Sequence, residues 1–124
     1  MPCAFPVSHG GLTVADATGV RPDDFCHEQY LIVEEEGGRV VFTGCAHKGI
    51  LNILSWLRPR KTVGGFHLMH TPCGGEELSR VEREFARYDC AYYTGHCTGQ
   101  DQSRCLAGAL PDLTVLSTGD VLEW

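Results

Sequence analysis

From residue 30 onward, short β-branched and aromatic runs alternate with segments of helical periodicity, and no other feature constrains the fold as strongly. The predicted strands comprise residues 30–33, 39–42, 62–66 and 90–93, followed by a last hairpin of residues 113–116 and 121–122. The predicted helices comprise residues 50–57, 76–88 and 101–110. This alternation predicts an α/β protein with a mixed sheet.

The first two of these strands form a predicted β-hairpin, because Gly37 and Gly38 between them can adopt positive φ angles. Upstream, residues 12–14 are a predicted strand and residues 20–27 a predicted loop. The helix over residues 76–88 begins with two glutamates, which suit the positive end of its dipole. Three arginines occupy a separate face of this helix, and we interpret that face as solvent-exposed: Arg80, Arg83 and Arg87.

Length and charge exclude several classes of protein. The chain has 124 residues, enough for one domain over residues 1–124 and too few for two. Its net charge of −6 and scattered basic residues argue against a nucleic-acid partner. No apolar run reaches the roughly 20 residues of a membrane span, so no membrane partner is expected either. The N-terminus has no signal-peptide pattern, so we expect a cytoplasmic protein.

Seven cysteines at irregular spacing, without a C-x-x-C pair, argue against a disulfide framework and against a zinc ribbon. Cys90 and Cys105 lie among apolar neighbours in the sequence, and we expect both to fill space in the core. In this interpretation most of the thiols have no chemical role.

Three histidines share one placement, because His47, His67 and His96 each come just after a predicted strand. Ligands of α/β sheets gather at the carboxyl ends of strands, and three imidazoles can hold a metal while leaving a position open for water. Three unrelated loop histidines are the alternative. The repetition at equivalent strand ends favours a divalent metal site, with zinc as the first expectation and iron or manganese as alternatives.

Three motifs carry a specific resemblance: T-G-C-A-H-K-G-I-L-N-I-L, then V-G-G-F-H-L, then Y-T-G-H-C-T-G. With the upstream run D-D-F-C-H-E-Q-Y-L-I-V-E, they resemble the C-terminal half of metallo-β-lactamase-fold proteins. The most similar group is called dihydropteroate-synthase-like, or ribofuranosylaminobenzene-phosphate-synthase-related. The resemblance covers residues 23–123 and implies half of an αβ/βα sandwich, a mixed sheet with helices on one face.

The resemblance also implies roles for the three histidines. His47 corresponds to a ligand of the first metal, and His96 corresponds to a ligand of the second metal. His67 follows the strand after which the superfamily commonly places a metal-bridging aspartate, so a histidine would replace a carboxylate there.

Further candidates surround these histidines. Additional ligands or pocket residues are His70, Cys45 and Cys97, with redox-sensitive thiols or simple packing as alternatives for the two cysteines. Thr98 and Gly99 open a predicted helix and suggest an anion-binding site, with an N-cap by Thr98 as the alternative. The isolated His9 and His27 are expected to be exposed or structural.

The family's H-x-H-x-D-H motif supplies most ligands of its two-metal site, and this chain contains no H-x-H. We therefore expect a metal-binding, hydrolase-like protein whose isolated chain is weakly active or inactive. One alternative is a non-catalytic metal- or ligand-binding module. Another is a subunit that needs a separate N-terminal half. We expect a homodimer or such a half-domain as partner, and a small molecule as ligand.

Overall fold

A five-stranded mixed sheet organises the chain in a computed structural model, which describes residues 3–7 and 11–123. The sheet contains β3 (Tyr30–Glu35), β4 (Gly38–Thr43), β5 (Lys61–Gly64), β6 (Ala91–Thr94) and β7 (Leu113–Val115). Two earlier strands, β1 (Thr13–Asp16) and β2 (Gly19–Pro22), pair only with each other. The helices are α1 (Ile50–Leu57), α2 (Glu76–Phe85) and α3 (Gln100–Ala109), with a 3₁₀ turn over His96–Thr98.

The strands lie in chain order, with β3 antiparallel to β4 and every later pair parallel. Right-handed crossovers between successive parallel strands place their helices on one side of the sheet. Consistent with this, side chains of all three helices join the same core as the sheet residues Val41, Tyr92 and Leu113. The predicted α/β class, a mixed sheet with helices on one face, is confirmed.

The core between sheet and helices is aliphatic with an aromatic centre. Phe85 of α2 stacks on Tyr92 of β6 at a centroid distance of 4.3 Å, and Phe66 meets Phe85 edge-on at 5.5 Å. The Tyr92 hydroxyl donates to the Phe85 carbonyl, so its polar atom is satisfied. Full burial of each large side chain stabilises the fold by about 1.5–3 kcal/mol. This packing holds the loops that follow β4, β5 and β6 in fixed positions.

The outer strand β3 is apolar and poorly covered. Leu31, Ile32 and Val33 are 63%, 39% and 38% exposed, although β-branched and aliphatic residues dominate the strand. The pairing of β3 with β4 also leaves its other edge without a strand among residues 3–7 and 11–123. Open apolar edges favour association with further polypeptide.

Two predictions about the ends of the chain are wrong. The last hairpin does not form, since residues 121–122 make no strand and Val121 is 85% exposed with nothing to pack on. The predicted loop over residues 20–27 begins instead with β2. The Asp16 carboxylate accepts hydrogen bonds from the Thr18 amide and hydroxyl at 2.7 and 2.5 Å, which closes the turn between β1 and β2.

The cysteines also differ in part from expectation. Cys73 and Cys105 form a disulfide that links the loop before α2 to α3, so Cys105 does not merely fill space. The sequence does not predict this bond, because the two cysteines are 32 residues apart and α3 contacts that loop only in the folded chain. Cys90 is buried in the core as expected.

Within the described residues no helix is both long and apolar enough to cross a bilayer.

Candidate metal centre

The loops after β4, β5 and β6 meet at one edge of the sheet, because the three strands are parallel neighbours. Backbone hydrogen bonds tie these loops together. The Gly65 amide donates to the Gly44 carbonyl at 2.9 Å, and the Met69 amide donates to the Cys97 carbonyl at 3.2 Å. His47, His67 and His96 all lie in these loops, as their spacing after strands predicts.

His47 and His67 form a pair of rings with centroids 4.5 Å apart. Phe25 stacks on the ring of His47, with centroids 4.6 Å apart and planes 10° from parallel. The Nδ1 atom of His67 is buried and has no hydrogen-bond partner among the described residues. Burial lowers the pKa of His67, and the nearby His47 lowers it further. The neutral imidazole that results is the form that binds metals.

Glu28 supports this pair and is a residue that the sequence analysis missed. Its carboxylate accepts hydrogen bonds from the backbone amides of His47 at 2.6 Å and Lys48 at 3.1 Å. It also accepts one from the Tyr30 hydroxyl at 2.6 Å, and it lies 3.5 Å from His47 Nδ1. A carboxylate on the outer nitrogen of a histidine orients the ring and leaves the other nitrogen free for a metal. Nothing in the spacing of Glu28 reveals this contact, which closes over 19 residues.

A second cluster consists of Cys45, His96 and Cys97, whose potential ligand atoms all lie within 4.8 Å of one another. His96 is exposed, Cys45 is half-buried and Cys97 is buried. The Cys97 thiol donates to the Cys45 carbonyl at 3.6 Å, and burial raises the pKa of Cys97 to about 11. Zinc binds sulfur at about 2.3 Å and histidine nitrogen at about 2.0–2.1 Å, so small side-chain shifts would let one ion reach all three atoms.

Backbone strain is concentrated in the same loops. Ala46, His67 and His96 have φ angles of 56°, 52° and 51°, in the left-handed region that residues with a Cβ rarely adopt. Such positions cost of order 1–3 kcal/mol each and cluster at functional sites. Each one lies in or beside the His47–His67 pair or the Cys45–His96–Cys97 cluster.

The remaining candidates are more dispersed. His70 is exposed, yet it is close enough to help lower the pKa of His67. His27 is 74% exposed in its side chain and lies 3.9 Å from the Asp23 carboxylate. His9 lies outside the described residues.

Thr98 is fully buried, and its hydroxyl is used within the protein. It accepts a hydrogen bond from the Phe66 amide at 2.8 Å and lies 2.6 Å from the Thr94 hydroxyl. Gly99, rather than Thr98, is the N-cap of α3, and no side chain caps that helix. The anion site at Thr98 and Gly99 stays a prediction that these contacts do not support.

Comparison with solved structures places these observations in a known fold. The chain is similar to Tm1679, a metal-dependent hydrolase of the beta-lactamase superfamily, with a TM-score of 0.79 and 28% sequence identity. The match covers 96% of this chain and 51% of Tm1679, so the chain spans about half the length of that protein. No family model and no curated protein sequence matches the chain. The predicted resemblance to half of a metallo-β-lactamase fold is confirmed, and the match is consistent with its C-terminal half.

Proposed function

We propose that this chain is a metal-binding, hydrolase-like protein of the metallo-β-lactamase superfamily, with zinc as its ion. One observation carries the proposal. The His47–His67 pair and the Cys45–His96–Cys97 cluster both lie in the loops that follow three parallel strands, in a fold shared with a metal-dependent hydrolase. The proposed metal ligands of this chain are His47, His67 and His96, with Cys45 and Cys97 as additional ligands. A cytoplasmic location stays a prediction.

The donor atoms fit a divalent transition metal. Imidazole nitrogen and thiolate sulfur suit zinc, whereas magnesium and calcium prefer oxygen ligands. Iron and manganese stay alternatives, since histidine binds them as well. The unpartnered Nδ1 of His67 supports a ligand at this position, because a buried polar atom without a partner costs about 1–3 kcal/mol.

A bound divalent metal would polarise a substrate oxygen and activate water near neutral pH. The chain's own residues prepare the position. Glu28 fixes the loop that carries His47 by accepting two backbone hydrogen bonds. Phe25 covers one face of the His47 ring and excludes water there. The lowered pKa of His67 keeps its imidazole neutral.

We further propose that a second layer covers the sheet in the working protein. The chain spans about half the length of Tm1679. Strand β3 exposes the apolar residues Leu31 and Val33 on the face away from the helices, since Ile32 between them pairs with the helix-side core residue Val41. Exposed apolar patches beyond a few hundred Å² mark interaction surfaces. A homodimer that pairs sheet against sheet is the proposed assembly, and a separately encoded N-terminal half is the alternative.

Hydrolysis of phosphoesters and lactones by the purified chain, before and after chelation and zinc addition, tests the hydrolase assignment. We expect turnover that zinc restores, far below the ~10 s⁻¹ of a typical enzyme. The low rate is expected because the family's H-x-H-x-D-H motif is not in this sequence. Turnover that a chelator leaves unchanged would contradict metal-dependent hydrolysis.

A non-catalytic metal-binding module is the second candidate. The thiols of Cys45 and Cys97 favour it, because cysteine-rich zinc sites are commonly closed structural sites without an open position for water. Stoichiometric zinc with no zinc-dependent turnover on any ester or lactone would select this function.

A further inference from the structure

A small cavity lies between the metal centre and α2. Its volume is about 60 Å³, and His47 and His67 form part of its wall. Glu77 and Arg80 of α2 form another part, and apolar residues such as Phe66 complete the lining. One water needs roughly 10–15 Å³ of such space, so the cavity has room for about four waters or one small polyatomic group.

Two residues that line this cavity each contain a buried polar atom without a hydrogen-bond partner among the described residues. Among the described residues, the buried side-chain nitrogens and oxygens without a hydrogen bond are His67 Nδ1 and Arg80 Nε, and both residues line the cavity. The Arg80 Nε–H is a donor without an acceptor. A buried donor of this kind costs about 1–3 kcal/mol, so native structures rarely leave one without a role. The unpaired donor belongs to Arg80, a residue that lines the cavity, and this points to a ligand there.

Arg80 also differs from the other arginines of its helix. The Arg87 guanidinium pairs with Glu84 at 3.0 Å, and Arg83 is exposed. Arg80 is half-buried and has no carboxylate within 4.0 Å in the part of the chain that the structure describes. The solvent-exposed face expected from the sequence therefore holds for Arg83 and Arg87 but not for Arg80. Arg80 therefore forms no ion pair within the described residues, although its Nε is buried.

We propose that this cavity binds a small anionic group, a carboxylate or phosphate, through the guanidinium of Arg80. Arginine donates several N–H groups in a planar fork that matches both anions. The inference rests on the proposed function in one respect, since the anion would be part of a substrate whose reacting bond lies at His47 and His67. The occupancy of the cavity by an anion does not itself need a metal.

Anion binding to the chelator-treated chain tests the proposal without any metal. Inorganic phosphate and acetate, titrated separately at low ionic strength and followed by NMR shifts, distinguish the two anion classes. We expect at least one of them to shift cavity residues such as His67 and Val81. Arg80→Met should weaken binding at least tenfold, and Arg80→Lys should bind with intermediate strength, because lysine keeps the charge and loses the fork.

Arg83→Met is the matched control, since it removes the same charge from an exposed position of the same helix. Equal binding by wild type, Arg80→Met and Arg83→Met would overturn the proposal. Absence of binding by a folded wild-type chain at millimolar anion would overturn it as well. If Arg80→Met fails to fold, Arg80→Lys against Arg83→Lys decides in its place. Because no metal is present, these results stand apart from any failure of zinc binding or hydrolysis.

Discussion

At the scale of single residues, Glu28 determines the shape of the metal loop. Its carboxylate is only 8% exposed and accepts three hydrogen bonds, two of them from the backbone of residues 47 and 48. Hydrogen bonds to charged groups contribute about 1.5–3 kcal/mol each, more than neutral ones. One side chain therefore holds the position of His47.

Glu28→Gln should lower the free energy of unfolding by about 1–3 kcal/mol, because the amide replaces one acceptor oxygen with a donor. It should also weaken zinc binding by about 10–100-fold, as the loss of a supporting carboxylate does in other metal sites. Denaturant unfolding and zinc titration measure the two effects. Glu34→Gln is the control, because Glu34 is 66% exposed and should change stability by less than about 0.5 kcal/mol. Equal effects of both substitutions would contradict the role of Glu28.

The lowered pKa of His67 predicts how metal-free stability depends on pH. Burial disfavours the charged ring in the folded chain, so the unfolded chain binds the proton more tightly. The contribution of His67 is therefore fully present above the unfolded pKa of about 6.5 and is lost as pH falls from there towards the folded value. His67→Asn should lose less stability over this window, and asparagine tolerates the φ of 52°. If the free energy of unfolding of wild type and His67→Asn changed equally between pH 7 and 5, this would contradict a contribution of His67 to the pH dependence.

At the scale of elements, the features that could be predicted from the sequence are those that depend on the local pattern of apolar and polar residues. The strands and helices from residue 30 to 115 follow from hydrophobic periodicity, and so does the position of three histidines after strands. Glu28, Arg80 and the Cys73–Cys105 bond depend on contacts between distant segments, which a single sequence does not reveal. The prediction of a final hairpin was wrong. The turn at Ser117 and Asp120 does form, but Val121 after it is exposed and does not pack into a strand.

The end of β5 is tightly packed beneath the metal loops. Gly64 has a φ of 140°, and a Cβ there would collide with the backbone carbonyl of Thr43. Gly64→Ala should cost about 3 kcal/mol, from backbone strain and overpacking together. Gly44→Ala is the control, because its added Cβ meets nothing within 4 Å. Thermal unfolding compares the two, and equal melting temperatures would contradict the account of this junction.

At the scale of the whole molecule, the open apolar strand β3 predicts self-association. Light scattering at micromolar concentration should give the mass of a dimer. Leu31→Lys should shift it towards the monomer, because Leu31 is apolar and 63% exposed on the edge strand. Val121→Lys changes an exposed residue that belongs to no strand and should leave the mass unchanged. A wild-type chain that is monomeric and well folded at these concentrations would contradict the homodimer.

Zinc stoichiometry tests the central claim, a metal centre where β4, β5 and β6 end, most directly. Native mass spectrometry of the chelator-treated chain after zinc addition should show at least one ion per chain at pH 7.5, with retention falling below about pH 6. Asparagine tolerates the positive φ angles of residues 67 and 96, so His67→Asn and His96→Asn should preserve the backbone. Each should reduce zinc uptake, whereas the substitution of an exposed histidine, His27→Asn, should not. A folded wild-type chain that takes up no zinc, or variants at His67 and His96 that bind it like wild type, would contradict the claim.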